Sequence, residues 1–365
     1  MKKKILAVVM SAAMVFGLAA CGTSDKADKT DNAGQSAGST ENTGDVADDT
    51  ADKSDFKIGL VTDTGGVNDQ SFNQSAWEGL QKVEEEYGVT VNYLESSGDA
   101  DYIPNITSFI DEDYDLIISV GYMLADATRE AAEANPDQKF AIIDDSSCSD
   151  LDNVTCLMFK QEQASYLVGY VSGLMTETNN VGFVLGNASE TMHLVGYGYL
   201  AGVLDANPDA KIQQYNAASF ADAAGGKSAA TTMVTNGADV IFHAAGGTGV
   251  GVIEGCKEAG IYAVGVDSDQ SYLAPDTIIT SAMKRVDVAV QTVSEEAING
   301  TISGGIETYE LSNGGVDIAP TTTLLPDDVV SAVEEIKQKI ISGEVTVPAS
   351  QAEFEEAYGD VYELD

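Results

Sequence analysis

Short apolar runs alternate along the chain with longer stretches whose apolar residues recur at helical spacing. Residues 56–61, 89–94, 116–120 and 140–144 read as strands. Between them, residues 71–87, 102–111 and 124–134 read as helices. In the first of these, Phe72, Ala76, Leu80 and Val83 fall near a 3.6-residue period. The third is ended by Asn135-Pro136. The alternation then begins again. Helices are expected at 163–175, 194–205, 226–236 and 249–259, strands at 180–186, 211–215, 239–243 and 262–267, and a late helix at 327–342. The apolar runs look buried on both faces, as in parallel sheets flanked by helices. The fold class is therefore α/β, with two Rossmann-like lobes and a cleft between them.

The chain opens differently. Met1-Lys2-Lys3-Lys4 is basic, residues 5–20 are almost wholly apolar or small, and Leu18-Ala19-Ala20-Cys21 closes the run. A basic flank, an apolar stretch and a small-residue cleavage site make a secretory signal. The run is shorter than the ~20 apolar residues a membrane-spanning helix needs. Residues 1–20 are thus expected to be a signal peptide. Leu-Ala-Ala-Cys resembles a bacterial lipobox, which implies cleavage before Cys21 and acylation of its sulfur. Buried acyl chains give membrane affinity at roughly 0.8 kcal/mol per methylene. Residues 21–55 are rich in Ser, Thr, Asp, Gly, Ala and Asn and read as an acidic tether to the membrane.

The remainder is too long for one core of ordinary size. Residues 56–160 are expected to form an N-terminal lobe and 161–267 a C-terminal lobe. Residues 268–305 are read as a return to the first lobe, and 306–365 as a last crossing, a helix and a tail. The chain should cross between lobes near 158–162, 268–281 and 305–320.

Composition narrows the partners. With 59 acidic against 18 basic residues the formal net charge is −41. Nucleic acid is excluded, because its binding depends on neutralising phosphates. Self-repulsion at this charge favours a soluble monomer. Cys148, Cys156 and Cys256 lack any CxxC pairing, and His193 and His243 are the only histidines, so no metal, redox centre or cofactor is expected. Cys148 and Cys156 are read as buried thiols or, outside the cell, as a disulfide. Gly225-Gly226-Lys227-Ser228 lacks the earlier glycine of a phosphate loop, since position 221 is Ala221.

Open α/β sheets bind ligands beyond the carboxyl ends of their strands. That rule selects Asp63 after the first strand, Gly121 and Tyr122 after the third, and Asp144 after the fourth. In the second half it selects Gly186-Asn187, the run containing Gly246 and Gly247, and Asp267. Small residues admit a ligand close to the backbone, and carboxylates accept hydrogen bonds from hydroxyls and amines.

The run from Gly59 to Leu80, centred on Asp63-Thr64-Gly65-Gly66-Val67-Asn68-Asp69-Gln70-Ser71-Phe72-Asn73, resembles the signature of the basic membrane lipoprotein family nearly residue for residue. Gly121-Tyr122, Gly246-Gly247, Gly265-Val266-Asp267 and Ser281-Ala282-Met283-Lys284-Arg285 extend the likeness. The best-known members of that family are purine nucleoside receptors. The resemblance implies a type I periplasmic-binding fold that closes on ligand by hinge motion and delivers it to the permease of an ABC importer. It implies that Asp63, Phe72 and Asn73 meet the base, and that Asp267 and Lys284 meet the ribose. The family often carries a second stacking aromatic, which aligns here near Val195. Met192, His193 or Tyr197 is expected to cover the other face of the base in its place.

The expected function is capture of a nucleoside, with a purine base as the resemblance implies, at the extracytoplasmic face of the cell membrane. A sugar or sugar-derived signal is the alternative ligand for the same role. A surface receptor that does not transport is a further reading. An exported nucleoside hydrolase fits less well, because no clustered aspartates with a metal-ligand pattern and no catalytic triad are seen.

Overall fold

The structure is a computed structural model that describes residues 53–320 and 323–364. The expected signal segment 1–20, the expected lipidation residue Cys21 and the expected tether as far as residue 52 lie outside the described residues. The first half contains β1 (Lys57–Val61), α1 (Phe72–Tyr87), β2 (Thr90–Leu94), α2 (Asp99–Asp111), β3 (Leu116–Ser119), α3 (Ala125–Ala134), β4 (Lys139–Ile143) and β5 (Val154–Phe159). The second half runs α4 (Gln161–Met175), β6 (Asn180–Leu185), α5 (Glu190–Ala206), β7 (Lys211–Asn216), α6 (Ala223–Thr235), β8 (Val240–Ala244), α7 (Gly246–Ala259) and β9 (Tyr262–Asp267). It continues with β10 (Ile278–Lys284), α8 (Val286–Ile298), β11 (Gly305–Tyr309), β12 (Val316–Ile318), α9 (Asp327–Ile341) and α10 (Gln351–Tyr358).

Two six-stranded sheets result, in the orders β11-β5-β4-β3-β1-β2 and β12-β10-β9-β8-β6-β7. All pairings are parallel except that of β10 with β12. The inner strands carry apolar residues on both faces because both faces are covered. Ile58, Leu60, Ile117, Ile118, Phe140 and Ile142 are all fully buried. The edge strand β7 is instead polar, with Gln213 and Gln214 partly open to water. In each sheet the strand order reverses once, between β1 and β3 and between β6 and β8. Crevices open at such switch points, at the carboxyl ends of the strands.

The sequence reading placed the second crossing at 268–281. The chain instead stays in the second lobe through β10, which pairs with β9 on one side and β12 on the other. It crosses at 284–286, where α8 leaves to pack on α1 of the first lobe. The other passages lie between β5 and α4 and between β11 and β12. The boundary at 267 is therefore corrected to the end of β10. Neither β5, β10, β11 nor β12 was read as a strand, nor α8 and α10 as helices.

Glycines fix how closely the two largest helices of the second lobe approach. A Cβ on Gly202 of α5 would sit 2.0 Å from the Tyr166 carbonyl oxygen of α4. The Gly-Tyr-Gly-Tyr-Leu-Ala-Gly run is thus a helix-packing surface. Gly202→Ala forces the helices apart and is expected to cost about 3 kcal/mol, read as a lowered midpoint in chemical denaturation.

Cys148, Cys156 and Cys256 are free and buried. Among the described residues no helix is long and apolar enough to cross a membrane. Lys227, from the stretch that lacked a phosphate-loop glycine, spends its charge on Glu254 and Glu258 at the surface.

Candidate functional site

The carboxyl ends of the two sheets face one another across a cleft cavity. The first lobe contributes Asp63, Asp69, Phe72, Asn73, Gly121, Tyr122 and Asp144. The second contributes Met192, Val195, Phe220, Gly246, Asp267 and Lys284, with Gln161 at the foot of α4. The carboxyl-end rule and the signature therefore converge on one place.

Asp69 builds the floor on the first-lobe side. Its Oδ1 accepts the backbone N–H groups of Ser71 (2.9 Å) and Gln74 (3.1 Å), and its Oδ2 accepts that of Asn73 (2.9 Å). These are the first amides of α1, which have no partner within the helix, so a carboxylate there caps the helix. Capping fixes Phe72 and Asn73 at the cavity wall. Asn73 Nδ2 then bridges Asp63 Oδ1 (2.8 Å) and Asp69 Oδ2 (3.0 Å). The Gly65 amide donates to the same Asp63 oxygen at 2.8 Å. Asn73 Oδ1 is left buried without a protein partner. Asn73 belongs to the cavity lining, and an unpaired buried acceptor there calls for a donor from a ligand or water. Nothing bulky separates Asp63 from the aromatic wall: a Cβ on Gly121 would meet Phe72 at 3.4 Å and Asp63 Oδ2 at 3.6 Å.

Asp144 and Asp267 occupy matching places at the carboxyl end of the fourth strand of each half, the first just beyond β4 and the second as the last residue of β9, and both have left-handed backbone, with φ of 66° and 64°. Aspartate tolerates that region better than most residues. Lys284, on β10, makes an ion pair with Asp144 across the cleft and donates to Gln161 Oε1 at 2.8 Å. Its ammonium also lies 4.9 Å from the centre of the Phe72 ring and 5.0 Å from that of Phe159. Asp267 accepts a hydrogen bond from the Ser71 hydroxyl of the opposite lobe. At the rim, Gln270 Nε2 donates to the Gln70 carbonyl and Tyr272 OH to Gln70 Oε1, each at 2.8 Å. Gln70 too is left-handed, with φ of 58°. The lobes are thus drawn together.

Burial sets the electrostatics. It pushes Asp63 up to about 6, against the Gly65 amide and Asn73, which pull it down. Burial likewise pushes Asp267 up to about 6, against the charge of Lys284 and the Ser71 hydroxyl. Asp69 is raised for the same reason, opposed by the amides it caps. Among the described residues lining the cavity, Lys284 is the one cationic side chain, and it is already engaged. Such a site favours neutral ligands rich in donors.

Two expected site residues stand elsewhere. His193 does not line the cavity. Its Nδ1 lies 2.8 Å from Tyr362 OH, and its ring packs against Tyr197 and Tyr362. Successive residues on a helix turn by about 100°, so His193 faces away where Met192 faces in. Tyr197 is drawn to the same outer cluster. Gly247 also lies off the cavity, against the Phe220 carbonyl. The aromatic residues lining the cavity are Phe72 and Tyr122 from the first lobe and Phe220, in the loop after β7, from the second. The Phe220 ring lies against the Gly186 backbone, where a Cβ would be only 2.4 Å away. The carboxyl-end rule, applied to the edge strand β7, points to that loop. Asp69 lay within the signature without a role of its own.

Fold and cavity together define a two-lobed binding protein of type I periplasmic architecture. Among solved structures, an ABC transporter solute-binding protein from Aeropyrum pernix superposes with a TM-score of 0.75 at 28% identity, over 82% of this chain and 96% of that one. Residues 56–351 match the model of the family described as ABC transporter substrate-binding protein PnrA-like, and the chain belongs to that family. Its members bind substrates rather than transform them. The chain is 40% identical to a CD4+ T-cell-stimulating antigen of Listeria innocua, over 95% of this chain and 99% of that protein. It is 37% identical to the ABC transporter nucleoside-binding protein BmpA of Lactococcus lactis, over 81% and 90% respectively.

Proposed function

We propose that this protein is anchored by lipid at Cys21 on the outer face of the cytoplasmic membrane, captures a nucleoside, and hands it to the permease of an ABC importer. The observation that carries the ligand assignment is that Phe72 from one lobe and Phe220 from the other line a cavity that four aspartates also line. A base between two rings gains roughly 0.5–1.5 kcal/mol per aromatic contact beyond its area burial. Asp63 and the free Asn73 oxygen accept from base N–H groups. Asp267 suits the vicinal hydroxyls of ribose. Closure of the lobes on such a ligand would present the permease with one defined shape. The name of the Lactococcus lactis relative supports the same class.

The test is titration calorimetry of the soluble body, residues 53–365, against adenosine, guanosine, inosine, cytidine, uridine, ribose, galactose and the purine nucleoside monophosphates. Heat from purine nucleosides, with free sugars silent, is expected. The monophosphates should also be silent, because a phosphate would meet carboxylates and no free cation among the described lining residues. Heat from ribose or galactose alone would replace the nucleoside by a sugar in the same role.

A further inference from the structure

The residues beyond the family match do not trail from the fold. Phe354 of α10 is fully buried, and Tyr362 and Leu364 nearly so. Gln214 of β7 donates to the Val361 carbonyl at 2.7 Å and accepts the Glu363 amide at 3.0 Å. These bonds lay the last residues across the outer face of α5. There Tyr362 is hydrogen-bonded to His193, and its ring is 4.8 Å from that of Tyr197. A Cβ on Gly196 would lie 2.4 Å from the Tyr362 ring. Phe354 stacks on Tyr197 at 5.5 Å.

The same turns of α5 face the cavity on their other side. Met192 and Val195 form part of its wall. The Thr191 carbonyl accepts from Gln161, and the Thr191 hydroxyl donates to the Asp144 carbonyl at 3.3 Å. The tail thus grips His193 and Gly196, each next in sequence to a residue that forms the cavity wall. At about 100° per residue, 192 and 195 lie about 60° apart on the cavity side, 193 and 197 point to the far side, and 196 sits at the edge between the two.

We infer that the C-terminal segment is a positioning element for the ligand site, with Tyr362 setting where the first turns of α5 stand and hence where Met192 and Val195 meet the ligand. The inference rests on the cavity being the ligand site. Protein interiors are close-packed, so a ring removed from one face of a helix lets the helix move toward the gap. Sites lose affinity when the shell supporting their contact residues slackens.

The experiment uses the full-length protein with Tyr362→Phe and Tyr362→Ala. Hydrogen exchange is followed at 190–197 without ligand, with α7 as the internal reference, and affinity for adenosine, guanosine and inosine is measured by calorimetry. In Tyr362→Ala, exchange at 190–197 should rise and affinity should fall, each by about tenfold, a change worth some 1.4 kcal/mol. α7 should be unchanged, and Tyr362→Phe, which keeps the ring, should restore most of both. Unchanged exchange at 190–197 would overturn the inference. So would a rise shared equally by α7, or full affinity despite a loosened α5. If the unaltered protein binds none of the three nucleosides, the functional reading fails, and the exchange pattern alone decides the role of the tail.

Discussion

Lys284→Met is expected to weaken ligand binding by about a hundredfold or more. The ammonium is buried and holds Asp144 of the opposite lobe. Its charge also lowers Asp267 against the effect of burial. Methionine keeps the stem and removes the charge, so two buried carboxylates lose their compensation. Breaking a buried pair in this way costs about 3–5 kcal/mol, because the remaining charge stays desolvated. Much of that cost falls on the closed form, since opening the cleft rehydrates both aspartates. The loss should therefore show both as weaker calorimetric affinity and as a larger radius in small-angle scattering of the ligand-free protein. A variant with full affinity would remove Lys284 from the closing machinery.

The ligand-free protein is expected to become more stable as pH falls from 7 toward 4. Asp63 and Asp267 have folded values near 6 against an ordinary 3.8. A carboxyl raised in the folded state contributes stability that is fully present below its unfolded value and lost as pH rises through the folded one. The window is thus about pH 4 to 6, and each group is worth about 3 kcal/mol across it. His243 works in the opposite sense. It is fully buried, and burial lowers it to about 4, so its contribution is present above the ordinary 6.5 and lost as pH falls toward 4. Glu162, which burial pushes up to about 7, adds to the two aspartates, and three carboxyls against one imidazole leave the acid side favoured. Thermal melts from pH 7 to 4.5 read the net effect. Asp63→Asn should flatten the rise by about half, which separates the site from the general relief of a charge of −41. An unchanged slope in that variant would mean that Asp63 ionises freely in the folded protein. Ligand donors should favour the ionised carboxylates, so nucleoside affinity is expected to move the other way and strengthen as pH rises from 5 to 7.

Much of this architecture was legible beforehand. The apolar runs of β1, β3, β4, β6, β8 and β9 announce buried parallel strands, and their carboxyl ends gave Asp63, Gly121, Tyr122, Asp144, Gly246 and Asp267, all of which line the cavity. What was missed has physical causes. The run Val154–Phe159 is short and apolar throughout, a pattern that strand and buried helix share. β10 mixes Thr, Ser and Lys into its run, and its place in the second sheet depends on partners that periodicity cannot name. The Lys284–Asp144 pair joins residues 140 apart. Phe220 sits after an edge strand whose polar face made its carboxyl end inconspicuous, and its seat exists only because Gly186, from another strand, has no side chain. His193 was a candidate because it lies near Val195, where the family's aromatic aligns, but each residue along a helix turns the side chain by about 100°, which carries His193 off the cavity wall that Met192 lines. The tail that holds it carries no periodic signal long enough to read.

The position of β11 has a consequence for how the molecule is made. This strand completes the edge of the first sheet by pairing with β5, yet Thr155 must wait for partners 148 residues further on before its hydroxyl reaches Ser303. α8, which covers α1, is equally late. A chain emerging from the ribosome cannot finish its first lobe until most of the second has been synthesised. Contacts so distant in sequence slow folding. Under the export proposed above, slowness would be useful: the half that appears first stays incomplete, and therefore extensible, until nearly the whole length is available.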